Sequence, residues 1–132
     1  PALKRGELVL ADRFVASTLA YQGAAGGLPA SDISAVARVA TRNLQPDLVV
    51  IFDLDHHAAA KRMGLLLDRM EAKGAAFHSK VREGYLALAK SDPGRYAVVD
   101  AARGPDEVWA QLLGTLRDRA ATLPPISRAG KR

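Results

Sequence analysis

The sequence predicts an α/β fold in which short strands alternate with helices. The run LVVIFDL at 48–54 is apolar almost throughout and rich in β-branched residues, which is typical of a strand in the middle of a parallel sheet with both faces covered. Segments 31–44 and 105–116 carry apolar residues at spacings of three and four, as on one face of a helix. This alternation favours parallel strands joined by helical crossovers.

Each element has its own pattern in the chain. ELVLA at 7–11 is the predicted first strand, and a helix over 14–22 and the glycine-rich loop GAAGGLP follow it. The remaining elements are a helix over 31–44, the strand at 48–54, a short helix over 56–63, a long helix over 68–90, a strand over 96–100 and a last helix that Pro105 opens. We therefore expect a three-stranded parallel sheet flanked by helices.

Composition excludes several classes of protein. A chain of 132 residues with 48% hydrophobic and 25% charged residues is one ordinary globular domain. No apolar stretch approaches the roughly 18 residues that span a bilayer. The absence of cysteine excludes disulfides and thiolate metal sites, and the neighbours His56 and His57 lack the spacing of a zinc site. We expect a cytoplasmic protein without a membrane partner.

The net charge of +5 is concentrated at one end of the chain. Residues 122–132 contain Arg128, Lys131 and Arg132 and no acid. The other arginines lie in segments of mixed charge, without the interleaved aromatic residues on which bases stack. We expect a folded domain over 1–121, a flexible basic tail over 122–132, and no nucleic-acid partner.

Each predicted strand ends in an acid: Asp12, Asp53 and Asp100. Carboxylates at the carboxyl ends of parallel strands commonly bind Mg²⁺ and its waters or hold a loop. The simpler interpretation is that each acid caps the helix that follows it. The pattern alone leaves both interpretations open.

Short motifs occur in a fixed order along the chain. They are Asp12-Arg13-Phe14, Ser17-Thr18, Ala20-Tyr21-Gln22-Gly23, Pro46-Asp47-Leu48, Ile51-Phe52-Asp53, Asp68-Arg69-Met70-Glu71, Val81-Arg82, Gly84-Tyr85-Leu86 and Val99-Asp100-Ala101. This ordered set resembles the thymidylate kinases, the dTMP kinase family of P-loop nucleoside monophosphate kinases, over nearly the whole chain. The resemblance implies a truncated form of that α/β fold and the transfer of a phosphoryl group from ATP to dTMP with Mg²⁺.

The resemblance also implies roles for the first motifs. Arg13 would bind the dTMP phosphate, because a guanidinium fork suits a phosphate better than an ammonium does. Asp12 would organise Mg²⁺ indirectly at the acceptor end. Gln22 and the hydroxyl of Ser17 or Thr18 would contact the thymine edge. Tyr21 would pack near the deoxyribose, where a 2′-hydroxyl would crowd it.

Donor-side roles follow from the later motifs. Arg62 and Arg69 would belong to a lid that closes over the donor phosphates; without the family context they would be interpreted as solvated charges. Asp100 and Ala101 would lie beside the adenine of ATP. The chain departs from the family pattern twice: Gly26 stands where an arginine is common, and the lid KRMGLLLDR at 61–69 is short and rich in leucine.

The family's phosphate loop, GxxxxGK(S/T), occurs nowhere in the 132 residues. We therefore expect the chain to be the later part of a longer enzyme, inactive alone and homodimeric when whole. Two alternatives stay open, a degenerate non-catalytic interaction module and a kinase for another nucleoside monophosphate. Segments 7–11 and 48–53 are expected to be parallel and unpaired, about 9 to 10 Å apart, with 48–53 paired to 96–100 instead.

Overall fold

The computed structural model describes residues 1–55, 58–59 and 71–122. After a 3₁₀ turn at Leu3–Arg5, its elements are α1 (Val15–Thr18), a π-helical segment (Leu19–Ala25), α2 (Ala30–Ala40), β1 (Val49–Asp53), α3 (Glu71–Ser91), β2 (Tyr96–Asp100) and α4 (Pro105–Ala120). The predicted start of the long helix at 68, most of the short helix at 56–63, and the tail beyond Thr122 lie outside the described residues.

Strands β1 and β2 form a parallel pair. Val49 lies opposite Tyr96, and Asp53 lies opposite Asp100 at the carboxyl end. The Ala101 N–H donates to the Asp53 carbonyl over 2.8 Å and extends the ladder by one bond. The predicted pairing of 48–53 with 96–100 is confirmed.

The third predicted strand, 7–11, is not formed. Leu8 and Leu10 in this segment are 81% and 89% exposed. A strand is defined by its ladder, and within the described chain β1 pairs with β2 alone. The sheet there has two strands rather than three, and β1 lies at its edge rather than in its middle. The separation of 7–11 from β1 stays a prediction.

The expectation that both faces of the sheet are covered holds only in part. Ile51 and Val99 are 8% and 0% exposed, whereas Phe52 and Val98 are 53% and 44% exposed. Paired residues of neighbouring strands share a face, and Ile51 lies opposite Val98 while Phe52 lies opposite Val99, so each face of the pair carries one buried and one exposed side chain. Helix α3 contacts β2 and supplies the buried Val81.

The closest packing in the described residues joins α3 to the π-helical segment. Ala20 is fully buried there. A Cβ added at Gly84 of α3 would lie 2.6 Å from the Cβ of Ala24 and 3.3 Å from the Cα of Ala20. Glycine at position 84 therefore sets how near the two helical elements come.

Helix α2 is shorter and more exposed than predicted. It ends at Ala40, and Arg42 and Asn43 then adopt left-handed backbone angles with φ of 53° and 61°. Ile33 is buried, but Val36 of the same predicted apolar face is 70% exposed. Spacing placed these residues on one side of the helix, but most of that side finds no neighbour among the described residues.

Helix α4 begins at Pro105 as predicted, and its far end is tied to β2. The Arg119 guanidinium donates to the carbonyls of Pro93, Gly94 and Tyr96 at 2.6, 2.9 and 3.0 Å. These three bonds fix the last turns of α4 against the loop that enters β2. The carboxyl ends of both strands and the first turn of α4 consequently lie together.

Candidate functional site

Arg13 has an unusual backbone and an available side chain. Its φ of 65° is left-handed, a conformation that costs a residue other than glycine about 1 to 2 kcal/mol. The guanidinium carbon lies 5.4 Å from the centre of the Tyr21 ring, within cation–π range. In the part of the chain that the structure describes, the Arg13 side chain makes no hydrogen bond or ion pair, so its fork remains available to an anion.

Tyr21 lies in the π-helical segment and is packed against α3. Its ring centre is 6.1 Å from that of Phe77 and 6.5 Å from that of Tyr85. π-Helical turns are rare and concentrate at functional sites. Phe77 itself is 38% exposed, so this aromatic cluster opens to solvent on one side.

The segment ends in a turn that excludes a side chain at position 26. A Cβ added to Gly26 would lie 2.7 Å from the backbone oxygen of Gln22. The same oxygen accepts a bond of 2.9 Å from the Leu28 N–H. Gly26, which stands where the family commonly has an arginine, is thus the residue that this tight turn accommodates.

The four polar side chains near Tyr21 differ in their bonding. The Ser17 and Tyr85 hydroxyls share a hydrogen bond of 2.7 Å between partly buried groups. Thr18 and Gln22 are exposed, and no hydrogen bond to either side chain occurs within the described ranges. The predicted acceptor residues Arg13, Ser17 and Tyr21 are linked by these contacts, and Thr18 and Gln22 lie on the exposed side of the same turn.

The three candidate acids have different surroundings. Asp53 accepts two hydrogen bonds from Arg82 of α3, at 2.6 and 2.8 Å, and this pairing raises the pKa of the Arg82 guanidinium. The Asp100 carboxylate accepts from the Ala102 N–H over 2.9 Å, which lowers its pKa, as does Arg103. Asp12 is exposed and has no hydrogen bond or ion pair to any described residue.

The Asp100 bonds hold the turn that leads into α4. The Asp100 N–H also donates to the Gln111 side-chain oxygen over 2.6 Å, which ties the end of β2 to the helix. Asp53 similarly ties β1 to α3. Both acids are therefore engaged within the fold, whereas the Asp12 carboxylate remains available to solvent and ligands.

An open, mainly apolar cavity of about 400 Å³ lies where β2 meets α4. Its lining consists of Phe52, Ala101, Arg103, Pro105, Val108, Trp109 and Leu112. A cavity of this size, with aromatic and aliphatic walls, suits a flat organic ring. It includes Ala101, but the aromatic walls at positions 52 and 109 were not predicted, because only the fold brings β1 and α4 to the same place.

The comparisons with known proteins agree with the order of the motifs. The family model described as thymidylate kinase matches residues 1–112. The chain belongs to the thymidylate kinase family. It is 46% identical over 124 residues to a thymidylate kinase of Desulforudis audaxviator, covering 90% of this chain and 56% of that protein.

Other members of the thymidylate kinase family give the same coverage. The Symbiobacterium thermophilum thymidylate kinase is 46% identical over 113 residues, covering 85% of this chain and 53% of the relative. The crystal structure of thymidylate kinase from Ehrlichia chaffeensis superposes with a TM-score of 0.61 at 27% identity, covering 84% of this chain and 49% of that one. The chain thus spans about half the length of the relatives it matches and shares their fold.

Two predicted residues of the thymidylate kinase lid, Arg62 and Arg69, lie outside the described residues. Among the residues that are described, no group of three or more histidine, aspartate or glutamate side chains is placed to hold a metal ion. None of the described helices is long and apolar enough to cross a bilayer.

Proposed function

We propose that this chain is the part of a thymidylate kinase that binds the acceptor dTMP and the adenine of the donor ATP, for transfer of a phosphoryl group that forms dTDP. The observation that carries the proposal is Arg13: its backbone is left-handed, and its guanidinium lies 5.4 Å from the centre of the Tyr21 ring without a hydrogen bond to any described residue. Left-handed backbone at residues other than glycine is enriched at ligand-binding sites. The names of the relatives support dTMP as the acceptor.

The acceptor half of the mechanism follows from these side chains. Arg13 presents two parallel N–H groups to the phosphate of dTMP and neutralises part of its charge, which reduces the repulsion between the acceptor and the phosphates of ATP. Tyr21 offers an aromatic edge to the deoxyribose. Gln22 carries both a donor and an acceptor, which matches a thymine edge that has both kinds of group. These contacts position the acceptor oxygen, and positioning is the main contribution that proteins make to phosphoryl transfer.

On the donor side, the cavity beside Ala101 would take the adenine between the Phe52 and Trp109 side chains. Mg²⁺ in such enzymes supplies charge neutralisation and is held by one or two carboxylates together with phosphates and water. Asp12 is an available carboxylate of this kind. The described residues do not assemble a metal site on their own, so we assign no step to the metal. Arg62 and Arg69 would supply further positive charge to the donor phosphates.

The 132 residues contain no GxxxxGK(S/T) pattern, which supplies the backbone cradle and the lysine for donor phosphates. We therefore expect the purified chain to form no dTDP from ATP and dTMP in a chromatographic assay. Formation of dTDP by chain free of contaminating kinase would contradict this part of the proposal.

We further propose that residues 1–121 are one domain with a flexible basic tail at 122–132, in a cytoplasmic enzyme that is a homodimer when whole.

Binding by the purified chain tests the acceptor site directly. Arg13→Lys keeps the charge but loses the fork, so dTMP affinity is expected to fall by about 1.5 to 3 kcal/mol, the scale of a charged hydrogen bond. Thymidine, which lacks the phosphate, should bind both forms equally. Arg38→Lys on exposed α2 is the matched control. Unchanged dTMP affinity in Arg13→Lys, measured by calorimetry, would show that Arg13 does not hold the phosphate.

A non-catalytic interaction module is the second candidate. The exposure of Leu8 and Leu10, two positions apart in one segment, favours it, because contiguous apolar surface commonly marks contact with another protein. Such a module would bind neither dTMP nor ATP. A kinase for another nucleoside monophosphate would bind dUMP or dCMP more tightly than dTMP in the same titration.

A further inference from the structure

A single pair of side chains connects α1 to α3 by a hydrogen bond within the described residues. The hydroxyls of Ser17 and Tyr85 lie 2.7 Å apart although 68 residues separate them in the chain. Both groups are partly buried, so water competes with the bond only weakly. The close approach that Gly84 permits brings the neighbouring Tyr85 to this position.

Tyr85 contacts Tyr21 as well as Ser17. The two tyrosine rings meet edge to face, with centres 6.5 Å apart and planes at 83°. Tyr21 in turn lies under the guanidinium of Arg13. The Tyr85 side chain of α3 therefore contacts two consecutive turns of the helical segment that follows Arg13, the candidate phosphate ligand.

The polar residues of this segment form two pairs, and the two members of each pair lie four positions apart. Ser17 and Tyr21 point toward α3 and are engaged there. Thr18 and Gln22 are exposed and have no side-chain hydrogen bond to any described residue. Because residues four apart are neighbours on a helix surface, Thr18 and Gln22 present their polar groups side by side.

We infer that Tyr85 is a positioning residue of the acceptor site, because it fixes both Ser17 and Tyr21. This inference rests on the proposed binding of dTMP. The Ser17 hydroxyl then affects dTMP binding through its hydrogen bond to Tyr85 and does not contact the ligand itself.

A double-mutant cycle on the full 132-residue chain tests the inference, with dTMP affinity from calorimetry and stability from urea unfolding as paired measurements. Tyr85→Phe removes one hydroxyl and keeps the ring. We expect this change and Ser17→Ala each to weaken dTMP binding about three- to tenfold, the range of one neutral hydrogen bond, and the double variant to be no weaker than either. Thr18→Val should weaken binding by a further, additive factor. Tyr96→Phe on β2 is the matched control and should bind dTMP as the unchanged chain does.

The other outcomes overturn the inference in distinguishable ways. If the unchanged chain binds no dTMP, the proposed function fails and the inference fails with it. If the unchanged chain binds but the losses at positions 17 and 85 add, Ser17 contacts the ligand by itself. If Tyr85→Phe alters only the urea midpoint, Tyr85 stabilises the fold without positioning the site.

Discussion

Replacing Gly84 by alanine tests the contact between α3 and the π-helical segment. The added Cβ would lie 2.6 Å from the Cβ of Ala24 and 3.3 Å from the Cα of Ala20. Carbon atoms in ordinary contact are about 3.5 to 4.0 Å apart, so the first approach is about 1 Å too short. Ala20 is fully buried and presents backbone at this point, and the helices must therefore separate.

Three contributions determine the change in the free energy of unfolding. Overpacking of this kind costs about 1 to 3 kcal/mol. The helix gains about 1 kcal/mol because alanine replaces glycine in its interior. Separation of the helices also breaks the hydrogen bond between Ser17 and Tyr85, which contributes about 1 kcal/mol. The last two contributions roughly cancel, so we expect Gly84→Ala to destabilise the chain by about 1 to 3 kcal/mol.

Urea unfolding followed by far-UV circular dichroism measures this change. Gly74→Ala in the same helix is the control, because the nearest atom to an added Cβ there is His78 Cδ2 at 4.0 Å. That variant should be more stable by about 0.5 to 1 kcal/mol. If Gly84→Ala is stabilised as much as Gly74→Ala, the close approach of the two helical elements is not present in solution.

Three further changes probe other parts of the fold. Arg119→Lys, which loses the fork that holds three carbonyls, should destabilise the chain by about 1 to 2 kcal/mol in the same urea assay, and Arg117→Lys on the same helix should not. The pKa of the Asp100 carboxyl in the folded chain lies below its ordinary value of 3.8. The charge of Asp100 therefore stabilises the fold fully above pH 3.8, and this contribution is lost as the pH falls through the folded pKa. Asp100→Asn should therefore flatten the acid side of the stability profile, and an unaltered profile would argue against the Asp100 turn. Trp109 is the single tryptophan of the sequence. Binding of ATP should therefore change the tryptophan fluorescence of the chain, and binding of dTMP should not. A response to dTMP but not to ATP would show that the adenine does not bind beside Trp109.

The sequence predicted the elements whose causes are local. The apolar, β-branched run at 48–54 and the turn before residue 96 define β1 and β2, and Pro105 marks the start of α4. The parallel pairing of the two strands followed from their alternation with helices. For the same reason the motif around Arg13 and Tyr21 was predictable as a unit, since its residues lie within one short segment.

Features that depend on distant partners were not predictable. ELVLA at 7–11 has the composition of a strand, but a strand forms only where another backbone completes its ladder, and within the described residues none does so. The contact of Ser17 with Tyr85 and that of Asp53 with Arg82 join positions 68 and 29 residues apart. No local pattern encodes such distances. The π-helical segment also packs against α3, which is distant from it in the chain.

The left-handed backbone at Arg13 implies a conflict between folding and activity at one position. Selection for stability alone would replace this arginine by glycine, which adopts a φ of 65° without steric cost. Such a replacement would leave the Tyr21 ring without its cation and the segment without a phosphate ligand. In a population of related sequences, retention of arginine here would therefore mark chains still under selection for the reaction, and drift to glycine would mark chains kept only for their fold.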